Sequence, residues 1–294
     1  MAVINIELTN DTYVDTEIKE EELIYGATAI MINPTNSVFE TTPPEGILPR
    51  VKAIHPITHD ELDIIVTKEQ DRYEDKATFV VTAHNQDHYN LAKYYNVPLK
   101  QVVAPYYLGE GEEECKNDLP IQTRRCVIVA IKHPTENKYL CLNNLESGNK
   151  SLVIGGVLTD EKIENAAIRE VKEKTGYTDI NITYTSPFEV HSQFYAKNKN
   201  MNRYLILNII FGKLNSLLQE EIEERFKNVE EICWVETNKL REFVNIKTNF
   251  FVCDLILKGE HAYTGNGKII NSNNLDGFNR ESGRVKAKEI ISHF

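Results

Sequence analysis

Over the first hundred residues, short apolar runs alternate with turn signals. A-T-A-I-M-I at residues 27–32 is followed at once by Asn33 and Pro34, and similar runs lie at 62–66 and 78–82. Each predicts a strand. Residues 87–95 place Leu91, Ala92 and Tyr95 at helical spacing ahead of Pro98, which predicts a helix ending there. Farther on, strands are predicted at 125–132 (R-C-V-I-V-A-I-K), 139–142, 151–154, 204–213 and 232–235, with short helices at 220–226 and 238–243. The clearest helical period runs over 162–175, where Ile163, Ala167 and Val171 form one stripe and Gly176 follows as a stop. Between the two patterned regions, L-G-E-G-E-E-E-C-K-N-D-L-P (108–120) has no period and ends in proline. From about 256 the chain is polar and rich in Gly and Asn (G-N-G-K-I-I-N-S-N-N-L-D-G) before a helix predicted at 284–293. The pattern predicts an α+β chain: a first domain at 1–108, a linker at 109–120, a second domain at 121–255 and an extension at 256–294.

Composition sharpens this picture in two ways. With 294 residues, 41% hydrophobic and 26% charged, the chain has enough apolar material for two cores. It opens without a basic leader and contains no apolar run near the ~18 residues that span a bilayer. Five cysteines without a C-x-x-C pair suit a reducing compartment, so a cytoplasmic protein with no membrane association is expected. Charge is uneven. Residues 1–118 carry 22 acidic against 9 basic side chains, net −13, and residues 119–294 carry 22 against 24, net +2. A front half this acidic repels phosphate backbones, which argues against general nucleic-acid binding by that half. Oligomeric state has no signature in the sequence.

The chemistry concentrates on the helix at 162–175. Glu170, Glu173 and position 174 stand at i, i+3 and i+4 and share one face. Three carboxylates there would hold Mg²⁺ or Mn²⁺ against a diphosphate, and Arg169 would fix their rotamers. Position 174 is a lysine. Its ammonium cannot ligate a cation, and Glu170 with Lys174 is in the favourable order for a helix ion pair. The spacing from Gly155-Gly156 through Glu161 to Arg169, Glu170, Glu173 and Gly176 resembles the Nudix box, G-x5-E-x7-R-E-U-x-E-E-x-G-U. Every defined position matches except Lys174, and Tyr177 is a loose fit at the last apolar site. The resemblance covers residues 120–255 and implies an α/β/α sandwich with a mixed sheet. It also implies catalytic roles for Arg169, Glu170 and Glu173, metal ligation by Glu170 and Glu173, and substrate contacts at Gly155, Gly156 and Glu161. Mg²⁺ or Mn²⁺ would serve a working site, and a silent one would need no cofactor. A substitute ligand from the acid-rich run at 219–224, or from Glu230 and Glu231, is the route by which Lys174 could be outweighed.

Three stretches of the front half resemble the editing domain of leucyl-tRNA synthetases: I-Y-G-A-T-A-I-M-I-N-P (24–34), V-K-A-I-H-P-I-T-H-D-E-L (51–62) and T-A-H-N-Q-D-H-Y-N-L-A-K-Y-Y-N-V-P (82–98). That resemblance implies a β-barrel-like fold and hydrolysis of mischarged aminoacyl-tRNA. The family's threonine-rich strand falls on I-K-E-E-E-L (18–23), however, and its ammonium-holding aspartate on His88, with Asn85 at the earlier aspartate. A neutral imidazole is a poor partner for an ammonium. His55 and His84 read as structural, and His88 and Asn85 as candidate contacts to a new ligand. Three functions stay open. The first is a divergent, weak Nudix-type hydrolase of a nucleoside diphosphate linked to another moiety. The second is a non-catalytic sensor of a small nucleotide or aminoacyl-adenylate-like ligand. The third is a free-standing aminoacyl-tRNA deacylase.

Overall fold

The computed structural model describes residues 1–69, 75–109, 113–270 and 279–292. Its chain divides into two compact units, one made of residues 1–104 and 261–294 and the other of residues 105–260.

The first unit begins with an alternating pair of strands, β1 (Ala2–Glu7) and β2 (Tyr13–Ile18), in which Ile4, Ile6, Val14 and Ile18 are buried. There follow β3 (Ala27–Ile32), β4 (Gly46–Ile47), β5 (Ala53–Ile54), β6 (Glu61–Val66), β7 (Ala77–Val81), helix α1 (Gln86–Tyr95) and β8 (Val103–Ala104). The sheet order is β1-β2-β7-β3-β6-β4, with β2/β7 and β3/β6 parallel. Among the described residues it is an open mixed sheet, not a closed barrel, and it comes nearest to closure where Leu8, just past β1, bridges to Ala53 of β5, a strand that pairs with β6. Ala92 of α1 packs on the face carrying Ala29, Ile65 and Val80. Asn96, in the left-handed region, ends this helix two residues before Pro98.

The second unit contains β9 (Tyr106–Leu108), β10 (Ile121–Lys132), β11 (Lys138–Asn144), β12 (Lys150–Ser151), β13 (Val153–Gly156), α2 (Ile163–Thr175), β14 (Ile180–Ala196), β15 (Met201–Leu214), β16 (Glu230–Glu236), α3 (Leu240–Phe243) and α4 (Thr248–Lys258). Its sheet runs β12-β11-β10-β15-β14-β9, with β13 on β10 and β16 on β11. β10 and β15 pair in parallel from Ile121–Asn202 to Lys132–Lys213, and the other long pairings are antiparallel, so the sheet is mixed as expected. Alternation along the strands divides the work. Val127, Val129, Ile131 and Val153 pack against Ala166, Ala167 and Val171 of α2, while Phe188 of β14 meets Phe251 of α4 edge to face. Tyr177 fills the last position of the helix-end pattern, buried against Trp234 with its hydroxyl accepting the indole N–H at 3.2 Å.

The segment predicted to be a linker includes residues 110–112, outside the described residues, and it begins directly after β9, which pairs with β14. Of the helix predicted at 220–226 only a 3-10 turn, Glu224–Phe226, forms. The polar stretch after 256 lies partly at 271–278, outside the described residues. Beyond it the chain returns to the first unit as β17 (Lys268–Ile269), paired with β8, and α5 (Arg280–Ile291). α5 begins four residues earlier than the pattern suggested because Asn279 caps it, accepting the Ser282 N–H at 2.8 Å. Ala287 and Ile291 join the core of Ile4, Ile6, Ile30 and Phe79.

Two histidines tie the first unit together as neutral groups. His84 lies between the Tyr263 carbonyl, 2.9 Å from Nδ1, and the N–H groups of Val102 and Val103, which donate to Nε2 at 2.8 and 3.2 Å. His55 does the same between Ile24 O and the N–H groups of Ile57 and Thr58. Both therefore act structurally. Burial pushes His84 down to about 4, against an unfolded value near 6.5. Between those values the unfolded chain binds the proton more readily, so stability is full above pH ~6.5 and drains as pH falls towards 4. The limit is about 3 kcal/mol for this histidine. The urea midpoint of the first unit is expected to fall steeply from pH 7 to pH 4.5 and to fall less in His84→Gln.

Candidate functional site

Helix α2 presents Glu170, Glu173 and Lys174 beside strand β13, and the two glycines of that strand make the approach possible. A Cβ on Gly155 would stand 1.9 Å from Glu170 Cδ, and one on Gly156 would stand 1.8 Å from Arg124 Nη2. Glycine is required at both positions for side chains to lie on bare backbone. Gly176, at φ +74, ends the helix where a Cβ would meet the Glu220 carbonyl at 2.2 Å.

Arg169 is the hub of the carboxylates. Its Nε and Nη2 donate to Glu161 at 2.9 Å each, its Nη1 donates to Glu170 at 3.0 Å and Glu173 at 3.3 Å, and Nη2 also reaches the Gly156 carbonyl at 2.7 Å. Glu161 foremost, then Glu170 and Glu173, raise the affinity of this guanidinium for its proton, and Arg169 in turn pulls Glu161 below the usual carboxylate range. The structure thus brings together Gly155, Gly156, Glu161, Arg169, Glu170 and Glu173. Glu161 braces Arg169 and also accepts the Leu158 N–H at 2.9 Å.

The residues as arranged do not fit a divalent ion. Glu170, buried, accepts the Gly156 N–H and Arg169 on Oε1, and Lys174 faces its Oε2 at 3.6 Å. Glu173 is shared by Arg169 and by Arg225, whose Nη2 donates at 2.7 Å. The Lys174 ammonium donates to the Ile154 carbonyl and lies 5.3 Å from the Phe226 ring, so a fixed positive charge already occupies the carboxylate face. At about 4 Å and an effective dielectric of ~20, unit charges interact by ~4 kcal/mol before solvent screening, and a doubly charged ion meets roughly twice that. Among the described residues no group of three or more His, Cys, Asp and Glu is arranged to hold a metal.

The acid-rich run at 219–224, one route by which a substitute ligand could arrive, is spent on neighbouring cations and is followed directly by a cation of its own, Arg225. Glu220 pairs with Lys172, Glu221 and Glu224 with Lys227, and Glu223 with Arg225. Glu230 and Glu231 accept from Asn144 and Asn143 on β11. Arg225, hidden inside an acidic run, was legible only as the one basic residue in E-E-R-F.

On the far side of Gly156 opens a cavity of about 330 Å³ lined by Arg124, Lys174, Lys199, Arg203 and Arg225, with Glu170 the acid on its wall. Among the described residues, Arg124, Lys199 and Arg203 form no ion pair. Phe194 and Leu205 give it an apolar side. Sequence reasoning missed Arg124 and Arg203. The parallel β10–β15 pairing sets Arg124 beside Leu205, two residues along the strand from Arg203, a juxtaposition without any local signal. A Gly156→Ala substitution is expected to expel Arg124 and weaken anion binding about tenfold, read by calorimetry with inorganic pyrophosphate.

Asn85 and His88 lie elsewhere, in the first unit. Asn85 caps α1 by accepting the His88 N–H at 3.1 Å, and His88 Nδ1 accepts the Val81 N–H at 3.1 Å. Burial foremost, with Lys19 adding, holds His88 near 4 and hence neutral. Both residues line a second cavity.

Comparison with known proteins follows the same division. The family described as leucyl-tRNA synthetase, editing domain, matches residues 16–130, and the NUDIX domain family matches residues 123–251. A curated leucine–tRNA ligase of Nitrosococcus oceani is 39% identical over 72 residues, which is 24% of this chain and 9% of the ligase. The chain therefore spans under a tenth of that relative. Among solved structures it is similar to a NUDIX hydrolase from Nitrosomonas europaea (15% identity, 48% of this chain and 93% of the other, TM-score 0.37). It is also similar to an Ap4A hydrolase of C. elegans (16% identity, 47% and 95%, TM-score 0.33). No helix among the described residues is long and apolar enough to cross a membrane. The chain joins a domain of the leucyl-tRNA synthetase editing type to a NUDIX domain.

Proposed function

We propose that the second unit is a divergent Nudix-type hydrolase domain that takes a nucleoside diphosphate linked to another moiety, holds it with fixed cations, and turns it over slowly or not at all. The observation that carries this reading is the ring of Arg124, Lys174, Lys199, Arg203 and Arg225 around one cavity in a chain of net charge −11. Charge-assisted bonds from guanidinium and ammonium groups suit phosphate oxygens. In this reading Arg203 and Arg124 meet the diphosphate, Lys174 and Arg225 screen it from Glu170 and Glu173, and Phe194 with Leu205 covers the uncharged part. Arg169 keeps the three glutamates in place. Divalent Mg²⁺ or Mn²⁺ belongs to the hydrolases of this family, and the Lys174 ammonium takes over the charge that such an ion would bring.

Calorimetry in EDTA with a panel of nucleotide sugars, dinucleoside polyphosphates and NAD-like compounds tests the reading. Metal-free binding of at least one class is expected, with Mn²⁺ adding little affinity and little turnover. Absence of binding across the panel, with and without Mn²⁺, would falsify it. Fast Mn²⁺-dependent turnover would restore the full hydrolase reading, which the intact Arg169–Glu161–Glu170–Glu173 cluster favours.

A further inference from the structure

Asn266 is followed by Gly267, and no other asparagine of the chain is followed by glycine. Glycine carries no Cβ, so its backbone nitrogen can be approached closely by the side chain before it. The structure leaves both groups of this pair open. Asn266 is exposed, its side-chain amide forms no hydrogen bond among the described residues, and the Gly267 N–H donates none there. Two asparagines followed by serine lie among the described residues, and both are engaged. Asn36 is buried, with its Oδ1 accepting the Val38 N–H at 2.9 Å, and the Asn215 amide donates to Asp179 at 2.8 Å.

The main chain around Asn266 and Gly267 is tied down on both sides. The Tyr263 hydroxyl donates to the Asn266 carbonyl, and Arg280 Nη1 donates to the carbonyls of Thr264 and Gly265 at 3.2 Å each. The Arg280 N–H donates to the Gly267 carbonyl, also at 3.2 Å. Arg280 is at the same time the cation of buried Glu22 and a partner of Glu20. It opens α5, whose Ala287 and Ile291 belong to the core of the first unit. The open pair therefore sits inside the bracket that fixes this helix.

We propose that Asn266–Gly267 is a self-modification site, where the amide is lost by cyclisation and the product loosens α5. The Gly267 nitrogen attacks Cγ of Asn266. A new N–C bond closes a succinimide, the bond from Cγ to the amide nitrogen breaks, and that nitrogen leaves as ammonia with the proton from Gly267. The step is neither an oxidation nor a reduction. Water then opens the ring at one carbonyl to give aspartate or at the other to give isoaspartate. In isoaspartate the main chain runs through the former side chain and is longer by a methylene. The carbonyl that accepts from Tyr263 becomes a free carboxylate, and the Gly267 carbonyl moves off the Arg280 N–H. A carboxylate in the loop that Arg280 already grips competes with Glu20 and Glu22 for its guanidinium.

Storage of the full chain in mildly alkaline buffer, followed by tryptic mass mapping, tests this. Gly259–Lys268 is the peptide to follow, since Asn266 is its sole amide side chain. It is expected to gain one mass unit and to accept methyl groups from an isoaspartate-specific carboxyl methyltransferase. The urea midpoint of the first unit is expected to fall as isoaspartate accumulates, whereas Asn266→Gln keeps both its mass and its midpoint. A peptide that stays unmodified in the stored chain while a synthetic copy converts overturns the proposal. So does conversion to aspartate alone, a midpoint that holds while isoaspartate accumulates, or one that falls equally in Asn266→Gln. The mass and the midpoint are both read on the wild type, so they decide the matter should the variant fail to fold.

Discussion

Lys174→Glu is expected to convert the NUDIX face into a metal site. The substitution removes the ammonium that now sits on the Ile154 carbonyl 3.6 Å from Glu170 and sets a third carboxylate one residue from Glu173. Reversing one charge within ~4 Å of a divalent ion changes its energy by several kcal/mol at an effective dielectric of ~20, and screening at this partly open face reduces that to a gain of about 100-fold in affinity. Mn²⁺ titration by calorimetry should show it, and hydrolysis of the diphosphates held by the wild type should appear alongside. Unchanged Mn²⁺ affinity in the variant would mean that Arg225, paired with Glu173 at 2.7 Å, governs the face instead.

Arg280→Ala is expected to cost the first unit about 3–5 kcal/mol, the loss typical when one partner of a buried ion pair is removed. Glu22 has no exposed surface, and Arg280 donates to it at 3.1 Å while also engaging Glu20 and the carbonyls of Thr264 and Gly265. Arg284 reaches the same carboxylate at 3.2 Å from a half-exposed position, so Arg284→Ala should cost about 1 kcal/mol. Urea unfolding of the three proteins measures the ranking. The pair replaced together, Glu22→Leu with Arg280→Met, should recover most of the loss, because apolar residues of similar volume substitute well for a buried pair.

What the sequence disclosed, and what it concealed, follows from how local each signal is. Helix α2 lies at 163–175 against the predicted 162–175, since its stripe of Ile163, Ala167 and Val171 and its stop at Gly176 are short-range features. Strand β14 escaped notice although it is 17 residues long. Pro187 and register shifts at Ile182/Tyr184 and Thr185/Glu189 break its alternation. Helix α4, T-N-F-F-V-C-D-L-I-L-K, is apolar nearly all round and buried, so it shows no stripe. The site divides likewise. The hub of Arg169 with its glutamates follows from helical spacing, whereas Arg124, Arg203 and Arg225 arrive from three distant segments.

The return of β17 and α5 to the first unit makes the second unit an insertion within it. During synthesis the NUDIX domain is therefore the first to have all of its residues outside the ribosome. The earlier segment must wait, with the surface destined for Ala287 and Ile291 uncovered and Glu22 still without its arginines, until the last helix emerges. A chain ended at residue 260 and released from the ribosome should accordingly carry one finished domain and one that a protease still cuts.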